Sequence, residues 1–325
     1  MNLKNNLSGL SERMMSTQPV LVICGPTASG KSAVALRVAQ ALNGEIISAD
    51  SMQIYREMDI GTAKVTRQEQ ALVRHHLIDC CDPGESFSVA KYKQLATKAI
   101  LEIQARGKLA IVCGGTGQYI SALVQGIDYG DLPVDGELRA RLNQRVREEG
   151  LAVLYDELMA IDAQAAAAVK PQDQKRIIRA LEIYYQTGRT KSDHLAASRR
   201  RGPDFEYIVF CLSHERSRLY ENINRRVDQM LQDGLIDEVR RLASEVPPNG
   251  TAWQAIGYKE ALAFLAGELS LEETRELIAR ATRRYAKRQL TWFRRLDSCI
   301  WLTDLDIDTA AARIIDRMRS ERTKA

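Results

Sequence analysis

The stretch GPTASGKS, Gly25 to Ser32, decides the fold. It matches G-x-x-x-x-G-K-[ST] in full. It follows the apolar run VLVIC (20–24) and opens into SAVALRVAQAL (32–42), whose apolar residues recur at helical spacing. Strand, glycine-rich turn and helix form the setting in which this motif binds phosphate. Gly25, Pro26, Thr27, Ala28, Ser29 and Gly30 make a loop whose backbone N–H groups can converge on an anion, and the helix N-terminus adds its positive end. Lys31 supplies a cation for the phosphate oxygens, and the Ser32 hydroxyl suits a Mg²⁺ ion. A phosphorylated ligand follows. Its identity does not, although ATP is the usual occupant of a nucleotide-binding loop with this spelling.

Four further short apolar runs recur: EIIS (45–48), LAIVC (109–113), YIVFCL (207–212) and CIWL (299–302). Helical patterns lie between them, as over Val89 to Ala105. This alternation predicts an α/β fold, a P-loop NTPase-like parallel sheet flanked by helices. It stops after Tyr119. From about Asp131 to Arg201 no strand pattern occurs, and ELRARLNQRVREEG and QDQKRIIRALEIYYQTG read as amphipathic helices, the second capped at Gly188. RRRGPD (199–204) then punctuates and the strands resume. The expected organisation is a flexible tail over 1–18, an α/β core over 19–130 and 202–325 with C-terminal helices, and an inserted all-helical sub-domain over 131–201.

Composition narrows the classes. The chain has 325 residues, enough for a sizeable core, and a net charge of +4, too small by itself to identify a nucleic-acid partner. Its six cysteines show no C-x-x-C pair and no metal-ligand spacing, and most sit beside apolar runs. They read as buried fillers in a reducing cytoplasm. The N-terminus lacks an apolar signal core, and no run is long enough to span a bilayer. A cytoplasmic monomer is the expectation.

Two more strand ends carry chemistry. EIIS runs into Asp50, and in an open α/β sheet ligands gather at the carboxyl ends of the strands. Asp50 therefore falls on the same edge as the phosphate loop, where a carboxylate can accept a proton from a nucleophile. It also suits an N-cap, and the two roles are compatible. LAIVC runs into GGTGQY (114–119), where three glycines would let backbone approach a ligand and Thr116 would offer a hydroxyl. The pair His75 and His76 shows no site-like spacing and reads as hydrogen-bonded structure.

Residues 271–300 hold eight basic side chains against four acidic ones. Arg280, Arg284, Lys287 and Arg288 share one helical face, with Tyr285, Trp292 and Phe293 interleaved. Cations for phosphates and rings for bases are what an RNA groove needs. Trp292 itself reads as core packing.

The motifs together resemble the tRNA dimethylallyltransferases, also called tRNA isopentenyltransferases. GPTASGKS, ISADSMQIYR (47–56), DIGTAK (59–64), HHLID (75–79), GGTGQY, RALEIY (179–184), INRRVDQM (223–230), GLIDEV (234–239), AIGYKE (255–260) and AKRQLTWFRR (286–295) carry the resemblance, over about residues 20 to 303. It implies transfer of a dimethylallyl group from dimethylallyl diphosphate to the exocyclic amine of the adenosine 3′ of a tRNA anticodon, with Mg²⁺ assisting. By the same resemblance Asp50 is the general base and Thr116 lies beside the reacting centre. Gly25 to Ser32 and Arg226 hold the diphosphate. Asp50, Ser51, Met52 and Gln53, then Lys175, Arg176, Ile177, Ile178 and Arg179, then Lys287, Arg288 and Gln289 contact the anticodon stem-loop. With no Cys or His after Cys299, the chain resembles the shorter bacterial form, which has no C-terminal zinc finger. Gln118 departs from the apolar residue usual in the glycine-rich turn. Two alternatives stay open: a small-molecule kinase using ATP, and an RNA-binding protein with a degenerate site.

Overall fold

A computed structural model describes residues 18–127, 135–248 and 250–324. The tail expected over 1–18 lies outside the described residues except for Gln18. Six strands form a single parallel sheet: β1 Val20–Cys24, β2 Gly44–Ser48, β3 His75–His76, β4 Leu109–Gly114, β5 Tyr207–Ser213 and β6 Cys299–Thr303. Their order is β3-β2-β4-β1-β5-β6. The central strand β1 sets Leu21 opposite Ile111 of β4 and Ile208 of β5. Both pleat faces of β1 are buried, which is why VLVIC is continuously apolar and not alternating. On one face, Val34 and Val38 of helix Lys31–Leu42 and Ile314 and Met318 of helix Ile307–Lys324 pack against Leu21, Ile23 and Ile111.

Five strands lie where the apolar runs predict them. β3 carries no such run, because it is two histidines on an edge. Side chains hold it there. His76 Nε2 lies 2.7 Å from Glu45 Oε2, and His75 Nδ1 lies 2.8 Å from the Val73 carbonyl. Both histidines are thus structural, as expected.

Glu45 is 2% exposed on β2 and meets Arg106 and Lys108 as well as His76. Burial pushes its carboxyl up, but the hydrogen bonds from Arg106, His76 and Lys108 outweigh this and hold it down at about 2. A depressed carboxyl stabilises the fold above its ordinary value and loses that contribution as pH falls. Glu45→Gln is expected to cost about 3 kcal/mol at neutral pH, the scale for breaking a buried ion pair. In denaturant melts the gap to wild type should close as pH falls from about 4.5 to about 2. A gap constant over that window would show that the ion pairs are not its source.

The chain divides into two compact units. The first holds the sheet, its covering helices and the C-terminal helices. The second takes in residues 88–91 and 122–204, and its described secondary structure is helical. Its own core joins Leu138, Leu142, Leu154, Leu158, Ile177 and Leu181. There Glu182, fully buried, is clamped by both nitrogens of the Arg139 fork at 2.5 and 2.7 Å. Helix Gln174–Thr187 ends on Gly188 in the left-handed conformation, the cap its sequence predicts. Among the described residues no helix is long and apolar enough to cross a membrane. None of the six cysteines forms a disulfide.

Candidate active site

The carboxyl ends of β1, β2 and β4 meet at one edge and bring the phosphate loop, Asp50 and the glycine-rich turn together. They open on a cleft of about 270 Å³ within the sheet-bearing unit. Lys31, Arg226 and Arg288 are the cations that line it, and Asp50 is the carboxylate. Ile223, Val227, Met230, Ile256 and Ile278 form an apolar wall. A charged end and an oily end share one small space.

The cations are poorly compensated. Burial, together with the neighbouring Arg226, pushes the Lys31 ammonium below its ordinary value, although Cys113 and Asp50 pull the other way. Burial likewise lowers Arg226, with Asp50 opposing. Lys31 Nζ donates to the Pro26 carbonyl at 3.2 Å, and Arg226 Nη2 to the Thr62 carbonyl at 3.4 Å. An anion between them would relieve both. Ala28, in the loop itself, sits at φ 61°, a left-handed conformation that costs a side-chain-bearing residue about 1 kcal/mol.

Asp50 plays the capping role and keeps a free oxygen. Its Oδ1 accepts from the Met52 and Gln53 amides at 2.9 and 3.4 Å. No protein donor is bonded to Oδ2 among the described residues. Ser51, Met52 and Gln53 line the cleft beside it.

Thr116 sits beside the Asp50 segment. It is not among the residues lining the cleft. Its Oγ1 accepts from the Ser51 amide at 2.9 Å, and its own amide donates to the Ala49 carbonyl at 3.0 Å. Thr116 thereby ties the β4 turn to the segment that carries Asp50.

The glycines of that turn also have another reason to be there. Protein atoms press on all three, and Gly114 also lines the cleft. A Cβ at Gly114 would lie 2.2 Å from the Ala49 carbonyl, one at Gly115 2.2 Å from Gln289 Nε2, and one at Gly117 2.5 Å from the Trp292 ring.

Gln289 lines the same cleft. It is 5% exposed. Its Oε1 accepts from the Thr27 amide and its Nε2 donates to the Gly115 carbonyl, each at 2.9 Å. One side chain clasps the phosphate loop to the glycine-rich turn. Ile177 and Ile178 are also core residues, so only Lys175, Arg176 and Arg179 of that stretch offer side chains at the surface of the helical unit. Trp292, read as core, is 39% exposed, and its neighbour Phe293 fills the core at 0%.

The basic face is real. Arg280, Arg284, Lys287 and Arg288 are exposed on helix Leu271–Phe293 and have no ion pair among the described residues. Tyr285, one position inward, lines the cleft. Burial, then the Asp50 charge, pushes its phenol well above the ordinary value, with Thr116, Arg288 and Gln289 opposing.

Glu238 is the residue that sequence reasoning misses. Its carboxylate accepts from the amides of Asp59, Ile60 and Gly61 at 2.9, 2.7 and 3.1 Å and from the Tyr258 hydroxyl at 2.6 Å. It suspends the DIGTAK loop, whose Thr62 carbonyl meets Arg226. The signal was present in the sequence. Glu238 interrupts the buried stripe Leu235, Val239 and Leu242 of an amphipathic helix, and a carboxylate on an apolar stripe needs partners.

A Mg²⁺ ion fits this site in only one manner. Among the described residues no group of three or more His, Cys, Asp or Glu gathers to cage a metal. Ser32 lines the cleft near Asp50, a donor set suited to a hard cation that arrives with phosphate oxygens and keeps waters.

Known proteins of one family resemble this chain. The sequence profile described as IPP transferase matches residues 53–296. The tRNA dimethylallyltransferase of Acetivibrio thermocellus is 47% identical over 291 residues, 89% of this chain and 93% of its own. The crystal structure of the full-length tRNA isopentenylpyrophosphate transferase from Bacillus halodurans superposes with a TM-score of 0.70 at 43% identity, covering 95% of this chain and 98% of the other. A eukaryotic dimethylallyltransferase solved acting on tRNA gives 0.77 at 30% identity, covering 92% and 77%. The profile match covers most of the chain and takes in the basic helix Leu271–Phe293, and the chain belongs to the IPP transferase family, that of the tRNA dimethylallyltransferases.

Proposed function

We propose that this protein transfers a dimethylallyl group from dimethylallyl diphosphate to the exocyclic amine of the adenosine 3′ of the anticodon in tRNA, releasing diphosphate. One observation carries the choice over a kinase. Helix Leu271–Phe293 bears the unpaired basic face and also sends Tyr285, Arg288 and Gln289 into the phosphate cleft. A polyanion bound along that helix reaches the site of chemistry. A small-molecule kinase has no use for this arrangement, and the apolar wall suits a prenyl tail better than a ribose.

The phosphate-loop amides, Lys31 and Arg226 hold the diphosphate. As the bond between the allylic carbon and the diphosphate oxygen breaks, its electron pair leaves with the diphosphate, and these groups stabilise the charge that develops. Mg²⁺, held by Ser32 and phosphate oxygens, supplies further neutralisation when bound. The adenine amine is a weak nucleophile because its lone pair is delocalised. Asp50 accepts the amine proton as the new carbon–nitrogen bond forms. The target base must leave its stack to reach the cleft, and this costs least in a loop. Lys175, Arg176 and Arg179, with Arg284, Lys287 and Arg288, hold RNA phosphates. Cysteines without disulfides suit a reducing cytoplasm, and a monomer suffices for the chemistry.

The test is a transfer assay with Mg²⁺, labelled dimethylallyl diphosphate and an unmodified anticodon stem-loop. Label in the RNA supports the reading. Phosphate passing from ATP to a small molecule, with the RNA unlabelled, contradicts it. A narrower test concerns the basic face. Replacing Arg284 and Lys287 with Ala should reduce the slope of log affinity for RNA against log salt by about 2. Affinity for the prenyl diphosphate should stay constant, because neither residue lines the cleft. Equal losses for both ligands would contradict this division.

A further inference from the structure

Trp292 stands out because nothing in the fold requires its exposed surface. The adjacent Phe293 fills the core, so the indole is not needed there. It is nevertheless held rigidly. Its Nε1 donates to Ser121 Oγ at 2.8 Å, and Ser121 is 2% exposed. Its five-membered ring lies against Gly117, where a Cβ would approach Cγ, Cδ1 and Cδ2 within 2.5 to 2.9 Å. Only glycine allows the ring to lie so close. The result is a large aromatic side chain, 39% exposed, that has little rotamer freedom left to lose on binding.

Its position gives it a partner class. Tyr285, Arg288 and Trp292 recur at i, i+3 and i+7 along one face of the helix, and Arg295 follows in the turn after its end. Tyr285 and Arg288 line the cleft, and the Arg288 guanidinium lies 5.6 Å from the Tyr285 ring centre. Trp292 follows two turns on, about 10 Å along the axis. The exposed cations Arg288 and Arg295 flank it by sequence. A fixed ring between cations, beside the cleft that receives an extruded base, is the composition of a stacking platform for single-stranded nucleic acid.

We propose that Trp292 stacks an unpaired base of the RNA loop next to the adenosine that enters the cleft, and so acts as a positioning residue for the acceptor strand. This rests on the reading above that the acceptor is RNA. It also gives the Gly117–Trp292 contact a purpose that core packing does not.

The experiment measures binding of an anticodon stem-loop carrying 2-aminopurine beside the acceptor adenosine, with dimethylallyl diphosphate binding measured in parallel. Wild type should quench the probe. Trp292→Phe keeps a ring over Gly117 and should retain most of the quenching, with Kd for RNA changed less than about threefold. Trp292→Leu should lose the quenching and weaken RNA binding by about 5- to 150-fold, the range for one base stacked on an aromatic ring. Its affinity for dimethylallyl diphosphate should be unchanged, which shows the cleft intact. RNA bound by Trp292→Leu as by wild type overturns the proposal while leaving the RNA reading in place. Equal loss of both ligands overturns it by making Trp292 a packing residue. A wild-type protein that binds no stem-loop defeats the RNA reading itself.

Discussion

Asp50→Asn is expected to slow prenyl transfer by about 10²- to 10⁴-fold, the usual contribution of a positioned general base. The substitution is conservative for structure. The two amide donors on Asp50, from Met52 and Gln53, both go to Oδ1, and an Asn carbonyl oxygen can accept them equally. What is lost is a basic oxygen facing the cleft. RNA affinity should therefore stay within about twofold, since the phosphate-contacting cations lie elsewhere. Single-turnover rates with saturating RNA check the first part, and a filter-binding isotherm checks the second. Turnover retained in the variant, or affinity lost without a rate effect, would remove Asp50 from the proton-accepting role.

Lys31→Ala is expected to lower kcat/KM for the prenyl diphosphate by about 10²- to 10³-fold, the scale for removing one group that stabilises developing negative charge. Lys31 and Arg226 are both half-buried cations lowered by desolvation, with Asp50 the one carboxylate lining their cleft among the described residues. Inorganic diphosphate should lose affinity in parallel, while the stem-loop should bind as before. A kcat/KM within tenfold of wild type would mean that the loop is not where the leaving group sits.

Much of this was legible in the sequence, and for physical reasons. Buried parallel strands demand continuous apolar runs, so VLVIC, LAIVC and YIVFCL announce themselves. A phosphate loop demands its glycines and lysine in fixed spacing, and strand ends demand that Asp50 share its edge. What sequence reading does not show are contacts between distant parts of the chain. Gln289 sits within a basic run, KRQ, and looks like part of an RNA surface. Its amide is instead spent on Thr27 and Gly115, more than 170 residues away. The glycines of GGTGQY suggest space for a ligand, and Gly114 does line the cleft, but the atoms that a Cβ at Gly114, Gly115 and Gly117 would meet belong to Ala49, Gln289 and Trp292. Ile177 and Ile178 alternate with cations in KRIIR, and only the helical phase of the folded unit turns them into its core. β3 is invisible because its two histidines carry no strand pattern, and its place depends on Glu45.

The most direct test of the central claim is to digest the RNA product to nucleosides after reaction with dimethylallyl diphosphate and to weigh the fragments. The account predicts one added five-carbon group on the exocyclic amine of the adenosine 3′ of the anticodon, with one diphosphate released for each. A phosphorylated product, or orthophosphate released from ATP with the adenosine unchanged, would contradict it.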